Sequence, residues 1–372
     1  MTAERLSVKD RLDLHLLNQQ KKKLIKEHRL DYLVWECTLH SNLICSNCNV
    51  TCDQEEHVHT DMPLCNFFHL IDSLPQDFIH RSDGSSMQVM ITEGEPLLRT
   101  DLEECARELY KRRIGWGMAT NALGMTRVRL DNLIRLGMNF MKIEVNTPNL
   151  TQQSIKNIED SYENVLNTLA YVSKESGLEF EATTCISAEN VNHLAEIKEM
   201  LVAQGVKKWR LFTKLDVLGK NCDRALLVNE KQIEEMLDFV NEVRAENKIK
   251  VVFACDNLMG SYEKKVHKDF FFCKAGVSMA TLFADGVIGV CLLNRDENCL
   301  LGNIYKDDFY EVWNKRFDNF LNKEWIKYRC ELHCNFTRYC KGKHQSNQNS
   351  KLALDANNIS SGEPAVTLKH AL

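Results

Sequence analysis

From residue 31 onward, short apolar runs alternate with longer stretches whose apolar residues recur at helical spacing. The runs predict strands at 31–37, 87–92, 115–120, 139–146, 179–186 and 207–213. Helical patterns fill the gaps at 64–72, 101–112, 127–136, 153–176 and 189–204, and each gap is long enough for a right-handed crossover. That alternation is the signature of βαβ units on a parallel sheet, so the expected class is α/β, a barrel or part of one built from six such units. In such a sheet, chemistry gathers at the carboxyl ends of the strands. A further helix near 229–246 and an apolar run at 249–254 lead into a different region, 271–344, which is rich in cysteine and short turns. The expected divisions are a helical lead with a solvated face at 1–30, a barrel at 31–215, a bridge at 216–270, a small cysteine-rich domain at 271–344 and a disordered tail at 345–372.

Composition narrows the class. A chain of 372 residues buries enough surface to fold without staples. Its 15 cysteines are an odd number spread over that length, unlike a small disulfide scaffold. The first 30 residues are charged rather than apolar, and no later run approaches the roughly 18 apolar residues of a membrane span. These features predict a cytoplasmic, reducing setting with no membrane span, where clustered cysteines more often hold metal or do chemistry. A formal net charge of -5 gives no general attraction to nucleic acid. The one basic run, Lys21-Lys22-Lys23, reads as a solvated helix face.

Three stretches stand out chemically. The first is "WECTLHSNLICSNCNVTC", Trp35 to Cys52, with Cys45, Cys48 and Cys52 on one loop after a strand, where thiolates can converge on zinc or an iron-sulfur cluster. Zinc would take His57 or His59 as its fourth ligand, and inert thiols are the plain alternative. The second is "MITEGEPLL", Met90 to Leu98, where a strand ends in Gly94-Glu95-Pro96. A glycine there leaves backbone amides open, and the carboxylate can receive an ammonium or simply favour a helix N-terminus. The third is Cys273 and Cys291, followed by Cys330-x3-Cys334-x5-Cys340-x3-His344, a separate metal region suited to iron-sulfur or to tetrahedral zinc. Cys65, Cys105, Cys185, Cys222, Cys255 and Cys299 carry no such spacing, and Trp209, Trp313 and Trp325 read as core.

These motifs, with "DMP" at 61–63, "GMATN", "VKKWRLF", "FFCKAG", "ADG" and "GNIYKDDF", resemble in order and spacing the radical S-adenosylmethionine (radical SAM) enzymes that carry a C-terminal SPASM domain. The likeness runs from about residue 31 to 344 and looks closest to a subgroup encoded beside small lipoproteins. It implies a partial, TIM-like (βα)6 barrel holding a 4Fe-4S cluster on C-x3-C-x2-C. One iron of that cluster chelates S-adenosylmethionine, and an electron from a donor cleaves the sulfonium to a 5'-deoxyadenosyl radical. The cofactor supplies the chemistry and the protein positions it. Substrates of such enzymes are often peptides or proteins, and the SPASM region binds auxiliary clusters.

Position by position, the resemblance implies metal ligands at Ser41, Cys45 and Cys48, with a serine where the family has its first cysteine. An oxygen donor is harder than thiolate and rarely ligates iron. Cys52 could substitute as third ligand only if the loop re-threaded, and Cys37, on the strand itself, is a poorer substitute still. The G-G-E-P loop has become Glu93-Gly94-Glu95-Pro96, and Glu95 is expected to receive the cofactor's ammonium. S-L-D-G has become Asn146-Thr147-Pro148-Asn149, with Asn146 kept as a hydrogen-bonding residue. Asn121 and Arg210 stand where the family carries polar residues near the cofactor, although both also suit ordinary strand ends. In the C-terminal region Cys273, Cys291, Cys330, Cys334, Cys340 and His344 support one auxiliary cluster, or zinc, but not two clusters. The expected function is peptide or protein modification impaired by Ser41 and Glu93. The alternatives are a silent descendant that binds a peptide or partner protein, and a zinc-stabilised interaction module.

Overall fold

In β1 (Tyr32–Glu36), Leu33 and Trp35 alternate with residues of the opposite face and are fully buried. Trp35 stacks on Phe67 of a following helix with ring centroids 4.0 Å apart, an aromatic contact that fixes which face of the strand turns to the helical layer. The same alternation buries Val89 and Ile91 in β2 (Gln88–Thr92), Trp116 and Met118 in β3 (Gly115–Thr120), and Met141 and Ile143 in β4 (Met138–Glu144). It continues with Ala182 in β5 (Glu179–Ile186) and with Trp209 and Leu211 in β6 (Lys208–Thr213). The structure is a computed structural model that describes residues 8–43, 61–148, 162–174, 178–213, 228–253, 274–292, 295 and 297–321.

The helical layer comprises α1 (Val8–Glu27), α2 (Leu64–Ser73), the single turn α3 (Gln76–Ile79), α4 (Leu102–Lys111), α5 (Arg127–Arg135), α6 (Tyr162–Lys174), α7 (Leu194–Ala203) and α8 (Glu230–Glu246). Each of α2, α4 and α5 turns apolar residues inward: Phe67 and Ile71, Leu102 and Leu109, Leu130 and Leu133. Their starts are written locally. The Thr126 hydroxyl accepts from the Arg129 amide at the head of α5, and Asn229 with Gln232 forms a capping box at the head of α8.

The six expected strands all form, within one or two residues of their expected ends, and pair in parallel from β1 to β6. The sheet is larger than six strands. The run at 249–254 contributes β7 (Lys250–Phe253), parallel to β6, and so continues the barrel sheet. At the other edge β8 (Met279–Leu282) pairs in parallel with β1, and β9 (Val287–Gly289) and β10 (Leu300–Asn303) follow antiparallel. Both additions cover a row of backbone donors and acceptors that an open edge strand would leave unpaired. The order is β10-β9-β8-β1-β2-β3-β4-β5-β6-β7. Two short helices close the described chain, α9 (Phe309–Arg316) and α10 (Asp318–Leu321), and Trp313 of α9 stacks on His28 just past α1. Trp209 and Trp313 are fully buried, as expected of core, and Trp325 lies outside the described residues.

The sheet face away from the helices carries the chemistry. Glu36, Thr92, Lys142, Glu144, Glu181, Thr183 and Arg210 alternate with the buried apolar residues, so sequence parity alone puts them on this second face.

Candidate cofactor site

Three loops leave the carboxyl ends of β1, β2 and β3 and meet. Gly94 has φ +56°, and a β-carbon on it would lie 2.4 Å from the His40 carbonyl oxygen and 2.7 Å from that of Thr38. No side chain fits there. The close approach lets the Glu95 amide donate to the His40 carbonyl at 2.8 Å, which joins the β2 loop to the β1 loop. The residue before it, Glu93, also has positive φ, +57°, a conformation that glycine adopts freely and that a side chain strains.

Glu95 fastens the third loop. Its carboxylate is fully buried and accepts from the Leu97 amide at 2.9 Å, the Thr120 hydroxyl at 2.7 Å and the Asn121 amide at 2.8 Å. It caps the 3-10 turn Pro96–Leu98, whose first residue is a buried proline. The Asn121 side chain then donates to Asn42 at 2.7 Å and accepts from the Leu123 amide at 3.0 Å. Ser41's neighbourhood, the Gly94-Glu95-Pro96 loop and Asn121 therefore form one hydrogen-bonded unit. Burial pushes the Glu95 carboxyl up to about 7, and the three donors oppose that rise by favouring the charged form.

Glu95, expected to receive an ammonium, uses its carboxylate here to hold the loops together. The group faces into the protein and accepts from three protein donors, at the N-terminus of the Pro96–Leu98 turn. Arg210 lies on the same sheet, on β6. Its guanidinium lies against Glu181 in a paired contact at 2.6 and 3.1 Å, joined by Lys208 at 2.7 Å and Lys142 at 4.0 Å. Although burial raises the Glu181 carboxyl, the Arg210 and Lys208 contacts outweigh it and hold the group low. Asn146 stands just past β4, where its side-chain oxygen accepts from the Thr147 amide at 2.9 Å and from Asn190 at 3.3 Å. It thus joins the ends of β4 and β5, beside the unit but outside its hydrogen bonds.

Of the expected metal ligands in the first loop, only Ser41 is described. Its hydroxyl oxygen accepts from the Leu43 amide at 3.1 Å, a local turn contact of the kind serine makes with its own backbone. A hydroxyl used in this way is a poor fit to an iron corner that thiolate would fill. Cys45, Cys48, Cys52, His57 and His59 lie outside the described residues. Cys37 shares the strand face of Leu33 and Trp35 and is fully buried, and burial pushes its thiol well up. In the C-terminal region Cys291 is buried just past β9, while Cys273, Cys330, Cys334, Cys340 and His344 lie outside the described residues. Among the described residues no group of three or more His, Cys, Asp and Glu side chains is placed to hold a metal ion.

Sequence reasoning passed over Thr120 and Asn42, which complete the unit, and Glu181, which gathers the three cations. Only the even spacing of Glu181 with Thr183 on β5, and of Lys208 with Arg210 on β6, could have marked the charged face beforehand.

The fold is that of an α/β protein with a mostly parallel sheet and a glycine-dependent loop at the end of its second strand. Comparison with known proteins carries this further. No family model matches the chain. The AdoMet-dependent heme synthase of Oleidesulfovibrio alaskensis is 20% identical over 83% of this chain and 81% of its own length. Its namesake from Methanosarcina barkeri is 22% identical over 83% and 90%. Streptococcus suis SuiB bound to S-adenosylmethionine superposes with a TM-score of 0.66 at 14% identity, covering 88% of this chain and 77% of SuiB. These likenesses in sequence and in fold agree with the resemblance to radical SAM enzymes.

Proposed function

We propose that this chain descends from radical SAM/SPASM enzymes that modify peptides or proteins, and that it keeps the cofactor-positioning loops while its cluster corner is impaired. The observation that carries this is the hydrogen-bonded union of the 38–42 segment, Gly94-Glu95-Pro96 and Asn121 at the carboxyl edge of the sheet. SuiB has also been solved bound to its precursor peptide SuiA, which supports a peptide or protein substrate here. Cys45 and Cys48 would hold the 4Fe-4S cluster with a third ligand that Ser41 supplies poorly. When bound, that cluster would supply an electron for reductive cleavage of S-adenosylmethionine. The Gly94 backbone and Asn146 would border the cofactor, and Glu95 and Asn121 would hold that border in shape. Because the Ser41 hydroxyl does not fit, no step of a reaction is derived through the cluster.

In this reading Cys273, Cys291, Cys330, Cys334, Cys340 and His344 hold one auxiliary cluster or a zinc ion in a SPASM-like region, and the protein is cytoplasmic. No helix among the described residues is long and apolar enough to cross a membrane. The second reading, a silent descendant that binds a peptide or protein, is favoured by the turn contact of Ser41 and the strained Glu93.

Anaerobic reconstitution with iron and sulfide, then dithionite and S-adenosylmethionine, separates the two. The first reading expects 5'-deoxyadenosine from the natural chain, slowly, and faster from Ser41→Cys. Release from Ser41→Cys alone assigns the natural chain to the silent reading. Release from neither overturns the proposal that the positioning loops are kept. Iron and zinc analysis of anaerobically purified protein decides the C-terminal ligand set.

A further inference from the structure

We infer that Arg99 is the positioning residue that couples the loop carrying Ser41 to the Gly94-Glu95-Pro96 loop. Its side chain is only 3% exposed, and its guanidinium makes contacts in three directions. One terminal nitrogen donates to the Cys37 carbonyl at 2.6 Å, and the other to the Met62 carbonyl at 3.1 Å. Those two carbonyls flank the segment 38–61, which contains Ser41, Cys45 and Cys48. The remaining side of the fork lies against Asp101, at 2.8 and 2.9 Å. Asp61, at the far end of the segment, lies 3.8 Å from Arg99 and 3.9 Å from His40 near its start. The guanidinium also sits 5.2 Å from the centre of the Trp35 ring.

Arg99 itself ends the Pro96–Leu98 turn, its amide donating to the Pro96 carbonyl at 3.1 Å. One rigid planar group therefore ties the entry and exit of the first loop to the end of the second. Lysine, a single-point cation on a flexible stem, cannot hold two carbonyls and a carboxylate in that fixed fork. Pinning both ends of a loop removes closure entropy that a bound group would otherwise have to overcome. The guanidinium's task is to hold the 38–42 segment at a set distance from the Gly94-Glu95-Pro96 loop.

This inference rests on the proposed function only for what the loop carries, so the test has two separate readouts. Hydrogen exchange on the full-length, metal-free chain follows the peptides covering 37–43 and 61–63 in the natural protein, Arg99→Lys, Arg99→Met and Asp101→Asn. Exchange there should rise about tenfold or more in Arg99→Met, because two buried carbonyls lose their donor, and less in Asp101→Asn, while peptides of α7 and α8 stay unchanged. Arg99→Lys should fall between Arg99→Met and the natural protein. Unchanged exchange at 37–43 with uniformly faster exchange elsewhere would make Arg99 a general core residue and overturn the inference.

The second readout places the Arg99 variants in the Ser41→Cys background and measures iron per chain and the electron paramagnetic resonance of the reduced protein. A shifted or broadened signal, or lost iron, with Arg99→Met and partial recovery with Arg99→Lys supports positioning. An identical spectrum in all three overturns it. If Ser41→Cys takes up no iron, the proposed function fails while the exchange result still decides the role of Arg99.

Discussion

Glu95→Gln tests the central element of the site through pH. The folded carboxyl titrates at about 7 against an ordinary 4.5, because it is fully buried. That gap corresponds to about 3 kcal/mol of preference for the neutral form. An acid whose value rises on folding holds its proton longer in the native state than in the unfolded one. Its contribution is therefore fully present below about pH 4.5, declines as pH rises towards 7, and stays low above that. Carboxylates held low by cations, such as Glu181 and Asp72, behave oppositely and lose their contribution as pH falls. The comparison with Glu95→Gln cancels them.

Glutamine keeps the shape and the contacts to Leu97 and Thr120 but sets an amide against the Asn121 N–H, a penalty of about 1–3 kcal/mol that does not vary with pH. The lead of the natural protein over Glu95→Gln should thus shrink by about 3 kcal/mol between pH 4.5 and pH 8. For 372 residues the unfolding entropy is about 0.8 kcal/mol/K, so the melting temperatures should converge by about 4 °C. Differential scanning calorimetry of both proteins across that range makes the measurement. A melting difference constant to within about 1 °C would refute the claim that burial dominates the titration of Glu95.

Two neighbouring substitutions should act in opposite directions. Glu93→Gly relieves a left-handed side-chain residue and should stabilise by up to about 1 kcal/mol, whereas Gly94→Ala drives a methyl into the His40 and Thr38 carbonyls and should cost about 3 kcal/mol; thermal melts of both check this. Glu181→Gln leaves Lys142, Lys208 and Arg210 without their shared carboxylate. Because the three cations are 28–38% exposed, the loss should be about 2 kcal/mol, below that of a fully buried pair, and should grow smaller in high salt. In Ser41→Cys the Leu43 amide keeps only a weak sulfur acceptor, so the metal-free variant should melt slightly below the natural protein, and iron loading should reverse that order.

The strands and the covering helices were legible because each depends on a period. Leu33 and Trp35, or Trp209 and Leu211, announce a buried face every second residue, and Phe67 with Ile71 announces one every fourth. The same parity could have marked Glu181 and Arg210 as sharing the other face, a signal the sequence reading did not use. Gly94 was legible too, since a glycine before a glutamate and a proline at a strand end implies a backbone conformation. Which edge β7 and β8 would cover was not legible, because partners distant in sequence are chosen by the unpaired edges that the rest of the sheet leaves.

The site divides along the same line. Ser41 in a cysteine's place, Glu93 in a glycine's place and the order of the motifs are properties of the sequence by itself, and they carry both the resemblance to radical SAM enzymes and its departure at the cluster corner. Only the tertiary structure decided that Glu95 turns inward to Thr120 and Asn121, that Arg210 is committed to Glu181, and that Arg99 holds both ends of one loop against another. A side chain's hydrogen-bond partners depend on which loops the sheet brings together, and residues 37, 62 and 99 become neighbours only once β1 and β2 are paired.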